Sequence, residues 1–160
     1  MSMDVFLKLQ DIAGESQDSN HPDEIDVLAW SWGMSQSGSA HVGGGSGAGK
    51  VSVQDVSFTK YVDKASTPIM VHCCKGTHIP VANLVIRKAG GDPHEYWKLE
   101  MTNCFITSIS TGGSGGEDAL TENITLSFEK FKSEYVPQKE DGSADAGITH
   151  TWNVLRNVEE

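Results

Sequence analysis

The six residues Ile124-Thr125-Leu126-Ser127-Phe128-Glu129 decide the fold, because their apolar and polar side chains strictly alternate. Successive side chains of a β-strand point to opposite faces of a sheet, so this period predicts a strand with one buried face. The same period produces five further apolar rows: Met3/Val5/Leu7/Leu9, Ile25/Val27/Ala29, Ala82/Leu84/Ile86, Trp97/Leu99/Met101 and Ile148/His150/Trp152/Val154. Together the rows predict about seven or eight strands with the spacing of an antiparallel sandwich or barrel.

Two segments carry extra detail within this pattern. In residues 25–32 both phases are largely apolar, which predicts a strand covered on both sides. Trp30 and Trp32 share one phase and are expected to fill much of a small barrel. After Val53 the apolar phase shifts by one residue to Val56, and such a shift predicts a bulge or bend.

Residues 63–76 break the period of two and predict one short helix. Ser66 or Thr67 can cap its first turn, and Pro68 suits the first helical positions. Gly76 suits the left-handed residue that follows a helix. We therefore predict a mainly β protein: a small antiparallel β-barrel with one short helix and a long glycine-rich hairpin loop.

Length and charge limit the possible functions. The chain has 160 residues, which predicts a single domain over residues 1–160. Its formal net charge is −10, and a nucleic-acid or anionic membrane surface would need clustered basic side chains instead. The apolar runs are too short for a membrane span, and the N-terminus lacks the pattern of a secretory leader. We expect no nucleic-acid binding, no membrane insertion and a cytoplasmic site of synthesis.

The cysteine count favours reduced thiols. Cys73, Cys74 and Cys104 are an odd number, and adjacent cysteines rarely reach disulfide geometry. His72 and His78 flank the pair, but neighbouring helical side chains point about 100° apart and converge poorly on one ion. We predict no metal site and no cofactor.

Two glycine-rich strings resemble catalytic motifs. Residues 44–50 match G-x-x-x-x-G-K, but Val51 follows where a phosphate-binding loop needs Ser or Thr. Residues 112–116 contain G-x-S-x-G around Ser114, but no helical pattern follows as a nucleophile elbow requires. We therefore predict no catalytic residue. The competing enzyme hypothesis is nucleotide binding through Lys50 or esterase activity through Ser114.

The remaining features indicate association between copies. A Gly/Ser-rich segment at residues 33–49 cannot stabilise itself and is long enough to be functional. Opposite the tryptophans, Ala29, Ser31 and Gly33 are small, which suits either a solvated inner wall or a close subunit contact. Exposed strand edges favour pairing between chains, and a repeated contact closes a ring.

Three long blocks resemble one known family. Residues 24–66 (EIDVLAWSWGMSQSGSAHVGGGSGAGKVSVQDVSFTKYVDKAS), 84–91 (LVIRKAGG) and 110–130 (STGGSGGEDALTENITLSFEK) are similar to haemolysin-coregulated protein, Hcp. The resemblance covers nearly the whole chain. It implies a β-barrel that forms hexameric rings, which stack into the inner tube of type VI secretion in Gram-negative bacteria.

The resemblance also implies partners and site residues. The partners are a contractile sheath, a spike complex and effector proteins held in the ring's pore, and the tube protein is secreted by its own machine. The pore-lining candidates are Ala29, Ser31 and Gly33. The candidates for the loop that reaches an adjacent ring are Ser37, Gly38, His41, Gly43, Gly44, Gly45, Ser46, Gly47 and Lys50. The alternative is an effector-binding chaperone ring that acts without forming a tube.

Overall fold

The computed structural model describes residues 3–37, 50–89 and 93–160 and confirms a mainly β fold. Its helix is α1 (Ser66–Lys75). Its strands are β1 (Met3–Leu9), β2 (Ile25–Asp26), β3 (Ala29–Ser31), β4 (Met34–Ser35), β5 (Ser52–Val53), β6 (Val56–Tyr61), β7 (Ile79–Lys88), β8 (His94–Gly112), β9 (Thr121–Tyr135), β10 (Ile148–Asn153) and β11 (Val158–Glu159).

One antiparallel sheet dominates the described residues. Its hydrogen-bonded order is β11-β10-β9-β8-β7-β1-β2, with β6 beside β9 and β3 beside β6. The long strand β9 pairs with β6 through its first half and with β10 through its second half. The segment 25–31 links two edges, because β2 pairs with β1 and β3 pairs with β6. The sheet therefore curls around one core, although its ladder does not close completely.

Residues from four of the predicted apolar rows form this core. Leu7, Leu84, Leu99 and Leu126 are each at most 1% exposed. They come from β1, β7, β8 and β9, so the four central strands share a single interior. The predicted bend is also confirmed, because β5 ends at Val53 and β6 begins at Val56.

The prediction that residues 25–32 are covered on both sides is wrong. Leu28 is 50% exposed and Ala29 is also exposed. The chain changes partner strands between β2 and β3, so its two halves meet different neighbours. Trp30 and Trp32 pack against the core but are only partly buried, and they do not fill the interior as expected.

The last predicted apolar row is wrong in its first half. Ile148 is 66% exposed and His150 is exposed, whereas Trp152 and Val154 are partly buried. The reason is position, since β10 pairs with the far half of β9 and has the two-residue strand β11 on its other edge.

The helix agrees with the prediction at its C-terminus and differs at its N-terminus. Gly76 has the left-handed φ of 64°. The N-cap is Ala65, which has no capping side chain. Ser66 lies inside the first turn, and its Oγ accepts a hydrogen bond from the Asp63 N–H at 3.0 Å. The Asp63 carboxylate in turn accepts the Ala65 N–H at 2.9 Å. Asp63, two residues before the N-cap Ala65, therefore takes the place of the expected serine or threonine cap.

Gly14 permits a close backbone approach to Glu24 and Ile25, where the segment between β1 and β2 ends. A Cβ at Gly14 would lie 2.4 Å from the Glu24 carbonyl oxygen, which is backbone and cannot rotate away. We expect Gly14→Ala to lower the free energy of unfolding by about 1–3 kcal/mol, the usual cost of an overpacked site. Urea unfolding measures this, and Gly115→Ala is the control because a Cβ there meets nothing within 4 Å. Equal stability of the two variants would contradict the prediction.

Candidate assembly surface

The pore-lining candidates lie on the outward side of β3 and the residues after it. Ala29 and Ser31 are exposed and Gly33 is partly exposed, while Trp30 between them packs toward the core. Antiparallel pairing places Ala29 opposite Thr59 and Ser31 opposite Ser57. The three candidates therefore share a solvent-facing surface in this chain.

That surface continues across four strands as one wall of small side chains. Strand pairing aligns two rows of four residues each, Ala29–Thr59–Asn123–Ser110 and Ser31–Ser57–Thr125–Ser108. Every member is exposed or partly exposed, and none is charged. We call these eight residues the small-residue wall. It presents hydroxyl, amide and methyl groups on a chain whose net charge is −10.

The hydroxyl groups of the wall beside Asp55 form a series of hydrogen bonds whose donors and acceptors can be assigned. The Thr107 hydroxyl donates to the Asp55 carboxylate at 2.7 Å and lies 2.6 Å from Thr125 Oγ1. A hydroxyl has one proton, so Thr107 accepts from Thr125. The 2.6 Å contact between Ser108 and Thr125 then has Ser108 as donor. In the series Ser108, Thr125, Thr107, each hydroxyl therefore donates to the next member, and the last donates to the Asp55 carboxylate.

Sequence reasoning placed two of these residues, Ala29 and Ser31, on a possible inner wall and missed the other six. Ser57, Thr59 and Thr125 occupy the polar phase of strands whose apolar phase was recognised. The detectable signal was that these polar positions carry small neutral side chains, in contrast to the charged Lys130 and Lys132 farther along β9.

The predicted loop begins and ends on a short stalk, formed by β4 and β5. Met34 pairs with Val53 and Ser35 with Ser52 in a ladder separate from the main sheet. Ser37 and Lys50 are exposed near its outer end. The other loop candidates lie outside the described residues: Gly38, His41, Gly43, Gly44, Gly45, Ser46 and Gly47.

A buried ionic network joins α1 to the barrel. Lys60 and Glu122 are both 0% exposed, and Lys60 Nζ lies 2.6 Å from Glu122 Oε2. Lys60 Nζ also donates to Asp63 Oδ1 at 2.7 Å and to Ser66 Oγ at 3.1 Å. Ser66 Oγ donates to Glu122 at 2.6 Å, and Thr111 donates to the other carboxylate oxygen at 3.1 Å.

These contacts decide the charge state of Glu122. Burial raises its pKa, but hydrogen bonds from Lys60 and Ser66 and the lysine's charge lower it by more, so the net pKa is lowered. The network is structural, since it fixes the first turn of α1 on β6 and β9. Sequence reasoning missed it, although Lys60 and Glu122 continue the buried phases of Phe58 and Ile124.

A second cluster fastens the N-terminal segment. The Arg87 guanidinium donates to both oxygens of Asp18 at 3.0 and 2.6 Å and to Asp4 at 3.0 Å, above the Phe6 ring. The hydrogen bond from Arg87 is the main cause that lowers the pKa of Asp18 to about 2. His21 stacks on the same ring with a centroid distance of 4.3 Å. These contacts hold residues 18–21 over the outer face of β1.

The cysteines differ in environment. Cys104 is fully buried, Cys73 is partly buried and Cys74 is exposed, and all three are free thiols. Desolvation raises the pKa of Cys104 to about 12. Within residues 3–37, 50–89 and 93–160, no group of three or more His, Cys, Asp or Glu side chains could hold a metal ion.

We therefore expect Cys74 to react rapidly with a thiol reagent such as DTNB, because the thiolate is the reactive form and this side chain is accessible. Cys104 should react only on unfolding. The time course of thiol release at pH 8 measures this, and Cys74→Ser should remove the fast phase. Rapid release from Cys104 in the folded protein would contradict the prediction.

The Ser114 motif lies in a turn. β8 ends at Gly112, residues 113–120 form turns and bends, and β9 begins at Thr121. The strand-to-helix context of a nucleophile elbow is therefore replaced by a strand-to-strand connection.

In the part of the chain that the structure describes, no helix is long and apolar enough to cross a membrane.

Comparisons with known proteins agree on one family. Residues 6–135 match the family model described as "Type VI secretion system effector, Hcp". The chain is 55% identical over 161 residues to "Protein hcp1" from Pseudomonas aeruginosa, covering 99% of each. Among solved structures, Hcp1 from Salmonella typhimurium matches at 37% identity and a TM-score of 0.81 over 100% of both chains. A type six secretion system protein matches at 28% identity and a TM-score of 0.92, over 99% of this chain and 100% of that one.

Proposed function

We propose that this chain, which belongs to the Hcp family of type VI secretion proteins, is a structural subunit of hexameric rings that stack into a secretion tube. The observation that carries this proposal is the small-residue wall: a continuous, uncharged outer face on a chain of net charge −10. Such a face can line a shared pore or approach another chain closely without bringing like charges together.

The wall is assigned to the pore. Ala29 and Ser31 lie at one margin of it and Gly33 follows them along the chain, while the paired residues of β6, β9 and β8 extend the same face. In this arrangement the wall contacts effector proteins through hydrogen bonds with its hydroxyl and amide groups. A chaperone ring that binds effectors without stacking is the second candidate, because it needs the same wall but not the stalk.

Contacts between copies need apolar surface elsewhere. Tyr61, Val62 and Leu120 are 52%, 40% and 53% exposed, and the Val62 N–H donates to the Leu120 carbonyl at 3.0 Å. These neighbours form a small apolar cluster at one end of the barrel. Clustered exposed apolar side chains are typical of protein–protein contacts, so this cluster is assigned to association between subunits.

The stalk is assigned to contacts between rings. Ser37 and Lys50 lie at its exposed end, and the glycine-rich residues beyond them are expected to complete the contact.

The tube would act with sheath and spike proteins of type VI secretion. The chain would be made in the cytoplasm and exported by that machine. No catalytic step is assigned: we expect no nucleotide binding through Lys50 in calorimetry and no esterase activity through Ser114.

Native mass spectrometry and negative-stain microscopy test the assembly. We expect hexameric rings, and stacks whose share in sedimentation increases with salt because ions screen the charge of −10 on each copy. A protein that stays monomeric at all concentrations and salt conditions would overturn the proposal. Rings that never stack would favour the chaperone alternative.

The pore assignment has its own test in Ser31→Gln. A longer side chain projecting from the wall should reduce retention of a co-expressed effector protein by about tenfold, roughly 1.4 kcal/mol, while hexamers persist. Co-purification measures retention, and Lys139→Gln on an exposed loop is the matched control. If Ser31→Gln retains as much effector protein as the wild type, the assignment of this surface to the pore is wrong.

A further inference from the structure

The stalk cannot set its own direction. Within the described residues its ladder has two residue pairs, Met34–Val53 and Ser35–Ser52, and it is not part of the main sheet. An isolated two-stranded ribbon is marginally stable in water. Contacts at its base must therefore decide how it leaves the barrel.

Trp32 makes these contacts. Its indole Nε1–H donates to the Gln54 carbonyl at 2.9 Å, and the Gln54 N–H donates to the Gly33 carbonyl at 2.9 Å. The Trp32 ring meets Phe131 edge-on with centroids 4.9 Å apart and lies 6.2 Å from Phe128. Both phenylalanines belong to β9 and are at least nine-tenths buried. One side chain thus connects both chain segments of the stalk to the long strand of the barrel.

A cavity lies beside the stalk. The cavity has a volume of about 110 Å³. It is lined on the stalk by Met34, Val51 and Val53, and on β9 and β10 by Phe131, His150 and Trp152. The stalk therefore has room to tilt toward β10 if the contact at Trp32 is lost.

We propose that Trp32 is a positioning residue that sets the direction in which the stalk leaves the barrel. This inference rests on the proposed function for its consequence: the stalk must point the same way in every copy before it can contact the next ring. Trp32 itself contacts the base of the stalk, so its effect on stacking is exerted through the stalk.

Spin-label distances test the positioning directly. Labels at Ser35→Cys on the stalk and Thr149→Cys on β10 use two exposed sites, in a background with Cys73→Ser and Cys74→Ser. Samples diluted with unlabelled protein report distances within one copy. We expect Trp32→Leu to broaden the distance distribution by about twofold, because packing and a hydrogen bond that fix backbone dihedrals are both lost. The milder Trp32→Phe removes the indole N–H and should broaden it less.

The matched control is Gln54→Ala, which keeps the backbone carbonyl that accepts from Trp32. It should leave the distance distribution unchanged. If both Trp32 variants keep the wild-type distribution, the proposal is wrong.

Stacking provides a second readout, separate from folding. We expect Trp32→Leu to keep hexamers but reduce stacking affinity by about tenfold, because the stalk must then be ordered on contact. Sedimentation velocity measures hexamers and stacks together. If wild-type rings do not stack, the tube function fails while the distance result still decides the role of Trp32. Normal stacking with a mispositioned stalk would overturn the link between Trp32 and stacking.

Discussion

Lys60→Met should lower the free energy of unfolding by about 3–5 kcal/mol, the usual cost of removing one partner from a buried ion pair. Methionine fills similar space but leaves the Glu122 carboxylate, which is 0% exposed, without its cation at 2.6 Å. Ser66 and Thr111 still donate to the carboxylate, but neither carries charge. Urea unfolding at neutral pH measures the loss.

The loss should depend on pH. In the native protein the folded pKa of Glu122 is lowered. Its contribution to stability is therefore present above the unfolded pKa of about 4.3 and is lost as pH falls through the folded value. In Lys60→Met the buried Glu122 carboxylate has lost its cation, and protonation removes the free-energy cost of burying an unpaired charge. The difference between the two proteins should thus be largest near pH 7 and shrink as pH falls and Glu122 of the variant takes up a proton.

The matched control is the double variant Lys60→Met with Glu122→Leu. Replacing both members of a buried pair with apolar side chains is often close to neutral. We expect the double variant to recover most of the stability, although Asp63 loses its contact with Lys60 at 2.7 Å. A double variant less stable than Lys60→Met would show that the network contributes more than charge compensation.

Phe131→Ala should lower the free energy of unfolding by about 3–5 kcal/mol, the range for deleting a buried aromatic ring. Phe131 is 1% exposed and lies between Trp32, at the base of the stalk, and β10. Its ring centroid is 4.9 Å from Trp32, which holds the stalk, and 5.7 Å from His150 on β10. The cavity left by alanine would add to the space already present beneath the stalk.

Thermal and urea unfolding measure this effect. Phe131→Leu retains most of the volume and should cost below about 1.5 kcal/mol. Tyr135→Ala, at a β9 position that is 45% exposed, is the control for loss of an aromatic ring from the same strand. A Phe131→Ala protein as stable as Tyr135→Ala would show that the aromatic cluster is not part of the core.

The alternating rows predicted the central strands because each strand has one face on a shared core. Leu84 and Leu126 are buried as their phase requires. The row from Ile148 failed because periodicity indicates which side chains share a face but not whether another layer covers that face. Lys60 and Glu122 were detectable in principle, since they continue buried rows, but their pairing depends on β6 meeting β9 in one register.

The chain alone determined its strand-rich character, the helix α1 that Gly76 terminates, and its family, because these are encoded in local periodicity, backbone preference and contiguous motifs. Tertiary structure decided what the outer faces became. Ser31 and Ser108 are 77 positions apart along the chain. They share one wall because β3 pairs with β6, β6 with β9, and β9 with β8. Strand register is set by long-range packing, which no short window of sequence contains.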